Sequence, residues 1–99
     1  MIRIVWEFRV IPGQEAEFER HYGSSGTWAE FFRRDASFQS TELIRDSEDP
    51  LRYLTIDTWT DLPAYESFRA EFRKDYEAVD REMERLTDAE RRLGAFVVV

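Results

Sequence analysis

Leu51-Arg52-Tyr53-Leu54-Thr55-Ile56-Asp57-Thr58-Trp59-Thr60 is dense in β-branched and aromatic residues, the composition of a β-strand. Alternation along a strand sends successive side chains to opposite faces. Leu54 and Ile56 fall on one face, and Tyr53, Thr55, Asp57 and Trp59 on the other. One face is aliphatic and the other is aromatic with a carboxylate in its middle. Upstream, Asp46-Ser47-Glu48-Asp49-Pro50 is a polar loop, and Phe38 to Arg45 reads as a second strand. So short a connection makes the two strands an antiparallel hairpin.

Downstream, Asp61-Leu62-Pro63 opens a helix, with Asp61 as its cap and Pro63 tolerated in the first turn. Tyr65, Phe68, Phe72, Tyr76, Val79, Met83 and Leu86 follow at helical spacing and form one apolar stripe. A single helix from Leu62 to Leu86 would outrun the sheet, at ~37 Å against ~33 Å for a ten-residue strand. A bend near Lys74-Asp75 is therefore expected. Thr87-Asp88-Ala89-Glu90 has the pattern of a capping box and predicts a short helical turn, with Arg91 and Arg92 at its end and Gly94 as its stop. Ala95 to Val99 is a closing strand.

At the other end, Ile2 to Ile11 alternates, with Ile2, Ile4, Trp6, Phe8 and Val10 on one wholly apolar face. Pro12-Gly13 ends this strand, and a helix begins at Gln14 with Phe18 and Tyr22 as its apolar stripe. Gly23-Ser24-Ser25-Gly26 interrupts the helix, as a kink or as the hinge of a mobile roof. Thr27 caps a second piece carrying Trp28, Phe31 and Phe32. The order β-α-β-β-α-β is that of an α+β, ferredoxin-like fold with an antiparallel sheet, and one domain spans residues 1–99. Helices cover one face of such a sheet. The apolar residues on the other face call for a second layer, and a second copy of the chain is the simplest supplier. A homodimer pairing sheet to sheet is expected.

With 99 residues there is room for one core only. The chain's 3 Trp, 4 Tyr and 8 Phe exceed what that core needs, so some of them should line a ligand pocket or a subunit interface. Against 21 acidic residues stand 14 basic ones, a net charge of −7 with no basic cluster, which argues against nucleic acid and anionic membranes as partners. Zero Cys removes disulfides and thiolate chemistry, and a single His removes a multi-histidine metal site. Neither GxGxxG nor a P-loop is present, so nucleotide and flavin binding lack support. The opening residues read as a strand and not as an export signal, which leads us to expect a cytoplasmic protein.

Several stretches carry a resemblance that covers essentially the whole chain: Glu7-Phe8-Arg9-Val10-Ile11-Pro12-Gly13 with Glu17-Phe18; Thr41-Glu42-Leu43-Ile44-Arg45-Asp46; and Arg52 to Trp59 followed by Ala64-Tyr65-Glu66-Ser67-Phe68. The chain resembles the antibiotic biosynthesis monooxygenase domain family of dimeric α/β-barrel proteins. That resemblance implies a pocket between sheet and helices in each subunit. It also implies oxygenation of a planar aromatic or quinol substrate with no cofactor and no metal. Trp59 and Tyr65 match the family's pocket-lining Trp and Tyr. Its Asn falls at Thr55 here, and its Arg falls near Val79, with Arg81 two residues away. Relatives that degrade haem use an Asn on the first strand and a His on the second long helix. This chain has no Asn, and its one His lies on the first helix, so haem degradation is disfavoured.

Three residues are candidates for catalysis. The Trp59 indole N–H could hold a substrate oxygen, or the ring could be core. Asp57 could pair with Arg3, Arg9 or an arginine of a dimer mate, or it could face a cavity as a base with a raised pKa. His21 is the only histidine, the side-chain type suited to proton transfer, and could face the pocket or the solvent. Tyr65, Thr55, Tyr22, Trp28, Phe32, Phe68 and Phe72 are the expected substrate-binding residues, around a cavity of ~300 Å³ or more. Two other functions use the same sequence features: a non-catalytic dimer that binds an apolar metabolite, and a purely structural dimer whose aromatics fill every cavity, leaving no pocket of ~300 Å³ or more between helices and sheet.

Overall fold

A computed structural model describes all residues, 1–99. Strand β1 (Ile2–Val10) leads through helices α1 (Glu15–Tyr22) and α2 (Thr27–Phe32) to β2 (Phe38–Arg45) and β3 (Arg52–Trp59). Helices α3 (Leu62–Glu71) and α4 (Arg73–Met83) follow, then a 3₁₀ turn (Glu84–Leu86) and β4 (Thr87–Val97). The four strands form one antiparallel sheet in the order β2-β3-β1-β4, which is the ferredoxin-like arrangement. No helix is long and apolar enough to cross a membrane.

Register decides which face of β3 meets the helices. Trp59 lies opposite Ile2, Asp57 opposite Ile4, Thr55 opposite Trp6 and Tyr53 opposite Phe8. This aromatic and polar face is the buried one, and Leu54 and Ile56 sit on the open face with Val5. Ile2, Ile4, Phe8 and Val10 of β1 are buried beneath the helices, as the alternation predicts.

Two expectations for the second half of the chain need correction. The long helix breaks at Phe72 (φ −104°, ψ 28°), two residues before the expected bend. Hydrogen bonds bridge the break, from Phe72 N–H to Phe68 O at 3.0 Å and from Tyr76 N–H to Phe72 O at 2.8 Å. The larger departure is at Thr87–Glu90, which forms no helical turn. Those residues begin β4, with Thr87 paired to Val10 and Glu90 to Phe8. An isolated helical turn fixes several residues for one hydrogen bond. The free edge of β1 offers a ladder bond every second residue, and it prevails. Gly94 therefore does not stop a helix. It lies within β4 at φ +151°, beside a register shift between Val5 and Trp6, in a backbone region that favours glycine.

The Gly23–Gly26 interruption is a tight turn. A Cβ on Gly26 would lie 2.5 Å from the carbonyl oxygen of Arg20 and 2.6 Å from that of His21, so the close approach of α2 to the end of α1 requires glycine there.

Candidate active site

Alternation along β3 and its register with β2 bring Thr41, Thr55 and Asp57 together on the helix-covered face. They form the floor of a cavity of about 110 Å³ that is partly open to solvent. Trp6 and Phe8 of β1, Tyr22 of α1, and Trp28 and Phe32 of α2 supply aromatic walls. Arg69 of α3, Tyr76 and Asp80 of α4, and Glu90 of β4 complete the lining. The volume is below the ~300 Å³ of a ligand-sized pocket, which is the outcome expected of the structural reading, because the aromatic side chains pack against one another. Tyr22 and Trp28 have ring centroids 6.2 Å apart, Trp28 and Phe32 5.7 Å, and Trp28 and Tyr76 5.0 Å. The space accepts one substituted ring. A fused polycycle would have to extend through the mouth.

Asp57 is the chemical centre of this cavity. Only 8% of it is exposed, and it has no ion pair. The expected arginine partners are absent for a geometric reason. Arg3 lies opposite Thr58 and Arg9 opposite Arg52, so both belong to the open face of the sheet. A partner subunit docked on that open face would be separated from Asp57 by the sheet itself. Arg9 pairs instead with Asp49, and Glu7 pairs with Arg52 at 2.7 Å and Arg91 at 3.1 Å. The one hydrogen bond to Asp57 comes from the Thr41 hydroxyl, its neighbour across the β2–β3 ladder. Burial pushes the Asp57 carboxyl up to about 6, and the Thr41 hydrogen bond offsets part of that rise.

Other titratable groups at the cavity are shifted for the same reason. Burial raises the phenols of Tyr22 and Tyr76 well above their ordinary value. The Trp28 indole moderates the rise at Tyr22 but does not reach hydrogen-bond geometry, and its N–H is buried without an acceptor. Asp80 and Glu90 are also raised, first by burial and then by repulsion from neighbouring carboxylates, and at Asp80 the Arg69 charge offsets part of the rise.

Five of the candidate residues come together at the cavity: Asp57, Thr55, Tyr22, Trp28 and Phe32. Trp59 does not reach it. Its fully buried ring packs against Phe32, Phe38, Tyr65 and Phe68 at 5.2–5.6 Å, and its N–H has no acceptor. Phe68 belongs to the same core layer, and Phe72 packs on Phe68 at 4.9 Å. Tyr65 is buried behind Arg69 and accepts a 3.0 Å hydrogen bond from it. His21 lies outside the cavity, with Nδ1 2.7 Å from Thr27 Oγ1 and Nε2 3.5 Å from Glu17. Sequence reasoning missed Thr41, Arg69, Asp80 and Glu90. Arg69 had a readable signal, since it follows Tyr65 by four residues and precedes Tyr76 by seven, which puts the three on one helical face.

The family model for antibiotic biosynthesis monooxygenase matches residues 1–73. The chain belongs to that family. Among solved structures it is similar to SnoaB, a cofactor-independent oxygenase from Streptomyces nogalater. The two share 27% identity over 99% of this chain and 92% of SnoaB, with a TM-score of 0.73. A SnoaB mutant with one asparagine replaced by alanine superposes with a TM-score of 0.74 at 26% identity, over 98% of this chain and 91% of the mutant. PA3566 from Pseudomonas aeruginosa shares the fold at 17% identity and a TM-score of 0.69, covering 99% of this chain and 93% of that one. No curated protein matches the chain. Thr55, expected at the position of the family's Asn, is on the cavity floor, whereas Val79, expected near that of its Arg, packs against the hydrophobic core.

The Asp57 shift has a consequence for stability. The folded value of about 6 lies above the ordinary 3.8. Its stabilising contribution is thus fully present below the ordinary value and lost as pH rises through the folded one, by up to about 3 kcal/mol. Asp57→Asn should therefore gain on the wild type as pH rises from ~4 to ~7, as measured by urea-unfolding midpoints across that range. A difference that is constant with pH, or that shrinks as pH rises, would contradict the burial argument.

Proposed function

We propose that the protein oxygenates a phenolic, enolisable aromatic ring bound between sheet and helices, using molecular oxygen and no cofactor. The observation that carries this reading is Asp57, a carboxyl poised near neutrality, without a cation partner, on the wall of an aromatic cavity. Membership of the family and the similarity to a cofactor-independent oxygenase support the reaction class. The Asp57 carboxylate takes the phenolic proton. The resulting anion gives one electron to O₂, and the radical pair joins as a carbon–oxygen bond to form a peroxide. Protonated Asp57 returns its proton to the distal oxygen, and loss of water leaves a carbonyl. An activated ring CH₂ and O₂ thus become C=O and H₂O, with all four electrons drawn from the carbon. Thr55 offers a hydrogen bond to the substrate, and Tyr22, Trp28 and Phe32 hold the ring and keep the site dry. Trp59 and Phe68 act from behind, by fixing Phe32.

Oxygen uptake with an anthrone or a hydroquinone in metal-free buffer tests this reading. Substrate-dependent uptake should rise as pH passes through about 6, and Asp57→Asn should lower it ~100-fold or more. Uptake at the autoxidation rate for both proteins would reject catalysis. Thr55 and Val79 favour a second reading, binding without turnover, because the Asn and Arg of the family's enzymes are missing at those positions. Quenching of tryptophan fluorescence by the same compounds, with no oxygen consumed, would select it.

We also propose that two copies pair through the open face of the sheet. Val5, Leu54 and Ile56 are half-buried there, and Ile44 and Phe96 are exposed, Phe96 by 53%. These apolar groups alternate with the ion pairs of Glu7, a pattern that suits a specific interface. Sedimentation should give a dimer at micromolar concentration, converted to monomer by Ile56→Glu. A wild-type monomer would overturn the pairing.

A further inference from the structure

We infer that Arg69 is the anion-binding residue of the cavity and that it holds the ionised oxygen of a phenolic ligand whose ring stacks among Trp28, Tyr22 and Tyr76. This rests on the reading of the cavity as a ligand site and adds to it the ionic form of the ligand and the residue that selects it.

Arg69 is a half-buried cation on the cavity wall with no carboxylate at ion-pair distance. Arg52, similarly half-buried, is paired with both Glu7 and Asp46. A guanidinium carries five N–H donors, and Arg69 uses one of its nitrogens to reach the Tyr65 hydroxyl at 3.0 Å. Its carbon lies 4.0 Å from the centroid of the Tyr76 ring. The hydrogen bond and the stacked ring fix the plane of the guanidinium before any ligand arrives, so little entropy is lost on binding an oxyanion. The charge is therefore oriented and partly desolvated, with Asp80 acting on it through the cavity but not in contact.

The surrounding charges narrow the choice of anion. Asp57 of β3, Asp80 of α4 and Glu90 of β4 line the same space, and burial makes each of them reluctant to ionise. A ligand carboxylate would bring a fourth acid into the cavity and no proton for Asp57 to take. A phenol enters neutral, gives its proton to Asp57 and becomes an anion only beside Arg69. The aromatic walls fit the ring, and the Arg69 guanidinium fits the oxygen.

The probe is 4-nitrophenol, whose phenolate absorbs visible light and whose ionisation can be followed on the protein. The wild type should bind it with an increased phenolate fraction at a pH just below its free pKa. Arg69→Met should lose that increase and weaken phenolate binding by about tenfold or more, while Arg69→Lys retains part of both. Matched urea-unfolding midpoints for the variants separate this from a folding defect. Binding of equal strength and ionisation in Arg69→Met would overturn the role of Arg69 and leave the cavity as a ligand site. Failure of the folded wild type to bind any single-ring phenol would overturn both. Benzoate displacing the phenolate at equal affinity would overturn the choice of a phenol.

Discussion

A carboxyl group on the helix-covered side of a sheet loses most of its hydration, and the protein must replace that hydration or keep the group protonated. For Asp57 the replacement is a single hydrogen bond from Thr41. The rest of the cavity is arranged around this deficit. Alternation fixes Asp57 beneath the helices, the register of β3 with β1 sends Arg3 and Arg9 to the opposite face, and the walls above it are aromatic. No mobile cation comes to rest on it. The result is a carboxyl raised by burial to about 6 at the edge of the cavity, a position that suits a proton acceptor.

The aromatic layer sets the shape of the site. Phe31, Phe32, Phe38, Trp59 and Phe68 form a continuous set of tilted and edge-to-face ring pairs, each worth about 0.5–1.5 kcal/mol beyond the area it buries. This set fixes α2 and α3 over one end of the sheet. Over Thr55 and Asp57, Tyr22, Trp28 and Tyr76 come together less completely and leave the cavity. Arg34 joins the two sides of the roof, stacking on Phe31 at 4.8 Å and Phe72 at 5.3 Å while pairing with Asp75 at 2.7 Å. Trp59 belongs to the rigid end, so its orphaned N–H is a cost of packing in this arrangement and not a contact waiting in the cavity.

Much of the fold was legible because periodicity reports burial. The alternation in Ile2–Val10 and Arg52–Trp59 placed β1 and β3, the stripe from Tyr65 to Leu86 placed α3 and α4 as one bent helix, and the short Asp46–Pro50 connection set the hairpin. Thr87–Glu90 misled because a capping box is a local signal, and the free edge of β1 is invisible to local reading. The site was legible in part. Thr55 and Asp57 stand out as polar residues within a strand, but the choice of face depends on register, which no single strand contains. Asp57 drew an expected ion pair for that reason. Arg69 was hidden because an arginine beside an apolar stripe reads as the solvated edge of a helix, and only the tertiary fold turns that edge toward Tyr76 and the cavity.

The protonation of Asp57 in the folded protein tests this account most directly. Carboxyl carbon chemical shifts, assigned by comparison with Asp57→Asn and followed from acid to neutral pH, report it without a substrate. The account requires Asp57 to titrate near 6, separately from the exposed aspartates. A midpoint at or below the ordinary 3.8 would mean that the carboxylate is well solvated or paired, and the case for a proton acceptor at the floor of the cavity would fail.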